Sequence, residues 1–447
     1  MECFIHIGTA KTGTTAIQSF LEINKNTLNK LGYYVDFDNS FNHWPLALIS
    51  LSEYREDIIL NALLKFANVC NQEELDNYVV NYIKKLEHVV NANKDKKFIF
   101  SSENIQMELK DKVELQNLKG LLNRLGFTKI VVIVYLREPY SLACSLFSEI
   151  VKHGYSSIQP PEPQNKFFNH VCNHKNTLQL WESVFGKENI FARAYDRTFF
   201  HQNSLIHDFL YTLKIDTCNE NFDFSKHPIN KGIANTEVLI RAALNKQAPS
   251  KRGKVMKLLK DKFVNKPYTM PPHLKKMYHE EFSSSIKWVL DNYFQNSHKP
   301  LFQIEAKDNR ELSQVILFQE DIHMIVSTMI NSCNQNEIYS KLSGLFANIL
   351  NLEELLSKDK KYLFYGYGYL AKIIEKLYSQ KYNLYFMDKD LSKVDGKKVF
   401  HDKSIISIDF DIIFICIFHD EVKIKNSLIS EYKIDAKKIL YLHKEQQ

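Results

Sequence analysis

The chain opens on a short apolar run, "CFIHIG" (residues 3–8), passes through a turn holding Gly8 and Gly13, and continues as "TTAIQSFLEINKNTLNKLG". In that last stretch Ile17, Phe20, Leu21 and Leu28 recur at helical spacing and Gly32 supplies a stop. The pattern predicts strand, loop and one helix. Two later runs, "KKFIFSS" (96–102) and "KIVVIVYL" (129–136), are apolar without alternation, as expected of strands buried on both faces. "NIFARAYD" (189–196) reads as a further strand, and "SSIQPPEPQNK" (156–166) as a proline-marked loop. Helical stretches separate the strands, so the predicted class is α/β, with a mostly parallel central sheet flanked by helices.

A second unit repeats the opening logic. "KYLFYGYGYLAKIIEKL" again gives strand, glycine turn and helix, and "YNLYFMDKD", "FDIIFICIF" and "KKILYL" give further strands. Residues 308–357 read as mainly helical. The expected organisation is therefore a first domain at 1–307, a helical linker at 308–357 and a small Rossmann-like α/β domain at 358–447.

Composition narrows the classes. A chain of 447 residues with 45% hydrophobic residues can bury two or three cores. The formal charge of +6 suits an anionic ligand but falls short of the concentrated basic face of a nucleic-acid binder, so no nucleic-acid partner is expected. Seven cysteines are scattered and never form a C-x-x-C pair, which supports neither a disulfide framework nor a metal site. No signal peptide is visible at the start, and the longest apolar run, "IIFICIF" (412–418), is far below the roughly 20 residues of a membrane helix. A cytoplasmic location without membrane insertion is expected.

Candidate chemistry begins in the first loop. "HIGTAKTGTTAI" spaces Gly8 and Gly13 like a phosphate-binding loop, yet a triphosphatase loop G-x-x-x-x-G-K-[ST] has lysine after the second glycine, where this chain has Thr14. Its lysine is Lys11, inside the loop. Amides of a glycine turn followed by a helix N-terminus form a nest for an anion, and Thr14 and Thr15 add hydroxyls. In "YLREPYSLACS" (135–145) Arg137 ends a buried strand, Pro139 starts a helix, and Ser145 lies two turns into it. An arginine at that rim suits a phosphate, although pairing with Glu138 or Glu149 would be an ordinary surface alternative.

Together these stretches resemble the sulfotransferases that use 3′-phosphoadenosine-5′-phosphosulfate (PAPS), particularly the bacterial branch acting on carbohydrates. "HIGTAKTGTT" resembles that family's 5′-phosphosulfate loop, which implies that Lys11, Thr12, Gly13, Thr14 and Thr15 bind the donor. "YLREPYSLACS" resembles its 3′-phosphate motif, which implies the same for Arg137 and Ser145. "FARAYDR" is similar to a family strand ending in tyrosine and acid, implying an adenine contact for Tyr195, and "INKGIANTEVLIRAALN" implies Asn230 and Lys231 near the nucleotide. The resemblance covers roughly residues 1 to 300 and implies a P-loop-like sulfotransferase domain and a metal-free transfer of a sulfuryl group to a carbohydrate hydroxyl. Glu103 in "FIFSSEN" is the candidate base, with His43 in "NSFNHWPLAL" as its rival. An ATP-dependent small-molecule kinase and a non-catalytic nucleotide- or NAD-binding scaffold are the alternatives. In the second unit "FYGYGYLA" with Asp388 about 20 residues on matches a dinucleotide turn, but the unit's small size favours docking, oligomerisation or a partner in a glycan pathway.

Overall fold

A computed structural model describes residues 1–35, 41–55, 60–157, 160–217, 221–225, 235–247, 253, 256, 268–270, 272–295, 301–302, 352–395, 398–417 and 421–442. The chain divides into two compact units: Met1–Phe147, Pro161–Lys231 and Thr269–Glu305 in the first, Ser148–Pro160, Gly232–Tyr268 and Ala306–Gln447 in the second. Of the segment expected to be a helical linker, only the residues after 351 are described, and Leu352–Leu355 is helical there. Asn230 and Lys231 also lie outside the described residues.

The first unit is built on a parallel sheet of β1 (Glu2–His6), β2 (Tyr33–Tyr34), β3 (Lys97–Ser101), β4 (Lys129–Leu136) and β5 (Ile190–Ala194), in the order β2-β3-β1-β4-β5. The three strands expected from continuous apolar runs lie together at its centre, β1 pairing β3 with His6 opposite Ser101 and β4 with His6 opposite Ile133. Because β1 sends the chain out to one side and β4 lies on the other, the strand order reverses beside β1, and a crevice at the strands' carboxyl ends results. The two-residue β2 carries too short a pattern to be read from sequence.

Strand alternation feeds two cores. Cys3, Ile5, Ile7, Phe98, Phe100, Val132 and Val134 face one side with Leu118, Leu122 and Trp181. Phe4, Ile99, Val131, Ile133 and Tyr135 face the other with Ile17, Phe20, Leu21, Phe209 and Leu210. Ile17, Phe20 and Leu21 are fully buried, and each contributes about 2 kcal/mol of burial free energy that holds the first helix on the sheet.

That helix, α1 (Thr14–Ile23), is shorter than its hydrophobic period predicts, since a second helix, Lys25–Lys30, follows a break at Asn24. The cause is a side chain with better partners elsewhere. Buried Asn24 donates through Nδ2 to the Asp223 carbonyl at 2.9 Å and accepts the Asp223 amide at 2.7 Å. Periodicity cannot see such a tertiary bracket. Gly32 sits at φ +83°, as its role as a stop requires.

Further helices are α2 (Glu103–Glu108), α3 (Lys112–Arg124), α4 (Pro139–Lys152), α5 (Lys166–Cys172), α6 (His174–Phe185) and α7 (Leu205–Thr212). Among the described residues no helix is long and apolar enough to cross a membrane. Also among them, no group of three or more His, Cys, Asp or Glu is placed to hold a metal ion.

The second unit holds another parallel sheet, β6 (Lys361–Tyr365), β7 (Asn383–Asp388), β8 (Val399–His401), β9 (Ile412–Ile415) and β10 (Ile439–Tyr441), in the order β10-β9-β6-β7-β8. This is the doubly wound order expected of a Rossmann-like module, with its switch point between β6 and β9. The glycine turn is occupied by packing: Gly366 has φ +96°, and a Cβ there would lie 2.4 Å from Cγ1 of Ile417, the residue that follows β9 by two places. Asp388, placed where a ribose-binding acid would stand, accepts the Asp390 amide at 2.9 Å and pairs with Lys393 at 3.2 Å. Gly366→Ala is expected to destabilise the protein by about 1–3 kcal/mol through strain and overlap. Chemical denaturation followed in that unit, alone and combined with Ile417→Ala, should show the second change recovering part of the loss.

Candidate functional site

Four carboxyl ends of the first sheet converge. The loop after β1 carries Lys11 and Gly13, β3 leads through Ser102 into Glu103, β4 leads into Arg137, and β5 leads into Tyr195. Arg137 Nη1 donates to the Lys11 carbonyl at 3.0 Å, and its guanidinium lies over the Tyr195 ring, 5.9 Å from the centroid. Tyr195 in turn packs on the loop: a Cβ on Gly13 would lie 3.3 Å from its Cε2 and 2.3 Å from Cδ2 of Leu205. Gly13, at φ +79°, is thus required both by backbone conformation and by close approach. Three stretches more than a hundred residues apart in part become one surface.

The loop's threonines divide their labour. Thr12 is fully buried and spends its hydroxyl proton on the Thr9 carbonyl at 2.5 Å, bracing the turn from inside. Thr14 is 4% exposed, yet its Oγ1 has no hydrogen-bond partner, an omission that costs about 1–3 kcal/mol for a buried hydroxyl. Thr15 is exposed one residue on. The first intrahelical bonds run from the amides of Ala16 and Ile17 to the Gly13 carbonyl, so the amides of Thr14 and Thr15 precede the helix ladder. Lys11 holds φ +60°, an uncommon conformation for a lysine.

Arg137 escapes its ordinary surface alternative. Among the described residues no carboxylate lies within ion-pair distance of it. Glu138 instead accepts the amides of Tyr140 and Ser141, at 2.9 and 2.7 Å, and stands 3.5 Å from His279, while Glu149 pairs with Lys152 and His153. Burial pulls the Arg137 pKa down from its ordinary value, but a guanidinium starts so far above neutrality that it stays a cation. A part-buried cation bound to a neutral carbonyl, beside the first amides of a helix, suits a multiply charged anion. Ser145 is half-buried on α4, as its spacing predicts.

Glu103 stands across the loop. A Cβ on Gly8 would be 3.1 Å from both Cα and Cβ of Glu103, so only glycine at φ +93° lets the loop pass the carboxylate's backbone. Ser102 caps α2 by accepting the Asn104 amide, which leaves Glu103 at the first helical position. Gln18 of α1 donates to the Ser101 carbonyl at 3.3 Å and to Glu103 Oε2 at 3.5 Å. His43 is placed differently: 2% exposed, it accepts the Ser101 amide through Nδ1 at 2.8 Å and packs edge-on to Phe100. Of the aromatic residues near these motifs, Tyr140 bonds the Met270 carbonyl and packs on Tyr278, and Trp44 stacks on Tyr78.

Supporting residues carried no readable signal. His174 of α6 donates Nε2–H to the Arg137 carbonyl at 2.6 Å, and its buried Nδ1 has no partner. His6 holds the Ser101 hydroxyl through Nδ1 at 2.9 Å, with Nε2 likewise unpartnered. On the opposite side buried Asp208 receives Tyr135 Oη at 2.8 Å, the His201 amide at 2.8 Å and both Arg193 Nε and Nη2. Each acts between segments distant in sequence, where no spacing rule applies.

Burial lowers the His174 pKa from 6.5 to about 4 and that of His6 from 6.5 to about 3. Depressed folded values mean that the unfolded chain binds more protons, so the stability contribution is complete above pH 6.5 and is lost as pH falls through about 4. Denaturation across pH 7 to 4 should show falling stability, with a shallower slope in His174→Gln; an unchanged slope would contradict the assignment.

Among known proteins, no family model matches the chain and no curated protein matches it. A solved structure described as a sulfotransferase from Alicyclobacillus acidocaldarius aligns with 66% of this chain and 96% of its own length, at 11% identity and a TM-score of 0.38. At that level the likeness carries no weight for activity, which has to be read from the site itself.

Proposed function

We propose that the chain is a sulfotransferase that moves the sulfuryl group of PAPS to a hydroxyl of a carbohydrate. The observation that carries this reading is the contact of Arg137 with both the Lys11 carbonyl and the Tyr195 ring at a glycine loop that ends in the first amides of a helix. A triphosphatase lysine would follow the second glycine, whereas here the cation inside the loop is Lys11 and the second cation comes from β4. Two separated cationic positions suit a donor with phosphate at both the 5′ and 3′ ends.

When bound, PAPS supplies an activated sulfuryl group on a phosphate leaving group. The unpartnered Thr14 hydroxyl and the amides of Thr14 and Thr15, which precede the helix ladder, are the features that fit its 5′ end. Lys11 would stabilise charge on the departing phosphate, Arg137 and Ser145 would hold the 3′-phosphate, and Tyr195 would meet the adenine. Asn230 and Lys231 keep the roles that the resemblance implies. No metal is required by these residues.

Glu103 is favoured over His43 as the base. His43 already accepts a backbone amide through Nδ1, so its neutral ring carries the proton on Nε2 and offers no lone pair for the acceptor. Glu103 is only part-buried and lies against the loop at Gly8. A carboxylate there can take the acceptor's proton as transfer proceeds.

Calorimetry with 3′,5′-adenosine bisphosphate on the full chain, with Mg-ATP and NAD as controls, tests the donor. Arg137→Ala should weaken binding by about 10- to 100-fold, and equal affinity in that variant, or a preference for Mg-ATP or NAD, would overturn the reading. With donor and acceptor supplied, Lys11→Ala should lower kcat by about 10²- to 10³-fold. Glu103→Gln should lower it by about 10²-fold or more while bisphosphate affinity persists; His43→Ala, assayed beside it, should fall less.

A further inference from the structure

A second concave feature of the first unit has no place in the donor site. It is a cleft of about 460 Å³, lined by Lys110, Gln164, Lys166, Asn169, Asn176 and Thr177, with His170 and Leu180. Its volume lies within the range of small-ligand sites, but its lining departs from their usual apolar character. Three side-chain amides, a hydroxyl and two ammonium groups surround it, and among the described residues no carboxylate lines it.

Its walls are tied to the donor site by two helices. α2 begins at Glu103, and one turn later Gln106 donates to the Thr177 hydroxyl at 3.2 Å while its carbonyl accepts His170 Nε2–H at 2.9 Å. α6, which carries Asn176 and Thr177, begins at His174, the residue bonded to the Arg137 carbonyl. From Glu103 to Glu108 the helix rises about 7–8 Å, a little more than one sugar ring, before Lys110 follows. Gln106 is itself 1% exposed and supports Thr177 from behind the lining.

Asn176 presents amide donor and acceptor together, the pairing that vicinal hydroxyls require, while Gln164 donates to Glu281 and Asn169 to the Pro163 carbonyl, each at 3.1 Å. Ammonium groups add a point charge for a carboxylate or sulfate. Apart from His170 the lining has no ring on which a base could stack, which disfavours single-stranded nucleic acid. We infer that this cleft binds an acidic oligosaccharide and that, given the sulfotransferase reading on which the acceptor role rests, it holds the part of the acceptor that extends beyond the sugar at Glu103.

Calorimetry on the full chain without donor tests the cleft. The probes are a tetrasaccharide of alternating glucuronate and N-acetylglucosamine, the same compound with its carboxyl groups reduced, and a thymidine tetranucleotide. The acidic tetrasaccharide should bind, the reduced one about tenfold or more weakly, and Lys110→Ala/Lys166→Ala should lose about tenfold or more of the acidic binding. Asn176→Asp should also weaken it, while all variants keep wild-type affinity for 3′,5′-adenosine bisphosphate. Absence of saccharide binding, equal affinity in the double variant, or tighter binding of the tetranucleotide would overturn the proposal. If bisphosphate binding persists in those cases, the donor assignment stands and only the cleft fails; saccharide binding without bisphosphate binding would sink the donor assignment and leave the cleft.

Discussion

The site depends on one continuation of sheet pairing past the end of a strand. Beyond β1 the chain still bonds to β4, the Ile7 amide to the Ile133 carbonyl, the Thr9 amide to the Tyr135 carbonyl, and the Tyr135 amide back to the Gly8 carbonyl. The Thr9 hydroxyl adds a second bond to Tyr135 at 3.1 Å. A glycine loop is intrinsically permissive, so its shape must be imposed from outside. Here β4 imposes it, and the chain leaves that strand through Arg137, two residues after Tyr135. Loop and cation therefore share one reference frame.

Tyr135 is fixed in its turn from the other side of the sheet. Its hydroxyl meets Asp208, which also takes the guanidinium of Arg193, the residue opposite Tyr135 in β5. A buried carboxylate is costly unless its oxygens are satisfied, and four donors reach this one. The network joins β4, β5 and α7 directly beneath the rim, so Tyr195 and Arg137 are held against each other by a polar core as well as by apolar packing. Rigid supports of this kind hold side chains in position without reorganisation.

The buried polar groups sort by whether they are satisfied. Thr12, Asn24 and Asp208 are bonded and serve the fold; Thr14 Oγ1 and Gln106 Oε1 are not. An unsatisfied buried group is tolerated only where the rest of the structure compensates for it. Both lie on elements that start at the rim, α1 and α2. The second unit shows the opposite economy: at its glycine turn Ile417 fills the space at Gly366, and Asp388 is capped by its own strand end.

The sequence by itself determined the class of the fold and where the loop and the strand ends of the candidate site lie along the chain. Continuous apolar runs located β1, β3 and β4 because strands buried on both faces are mostly apolar, and glycine spacing located the loop because positive φ favours that residue. It likewise placed Arg137, Glu103 and Tyr195 at strand ends, but a strand end is shared by many residues and does not say which of them meet. Tertiary structure decided that Arg137 reaches Lys11 and Tyr195 rather than Glu138, that Asn24 breaks a helix its neighbours would continue, and that His43 is engaged at Ser101. Local periodicity reports burial of each residue's own segment, whereas these contacts join segments far apart in sequence, and only the strand order and register of the folded sheet specify them.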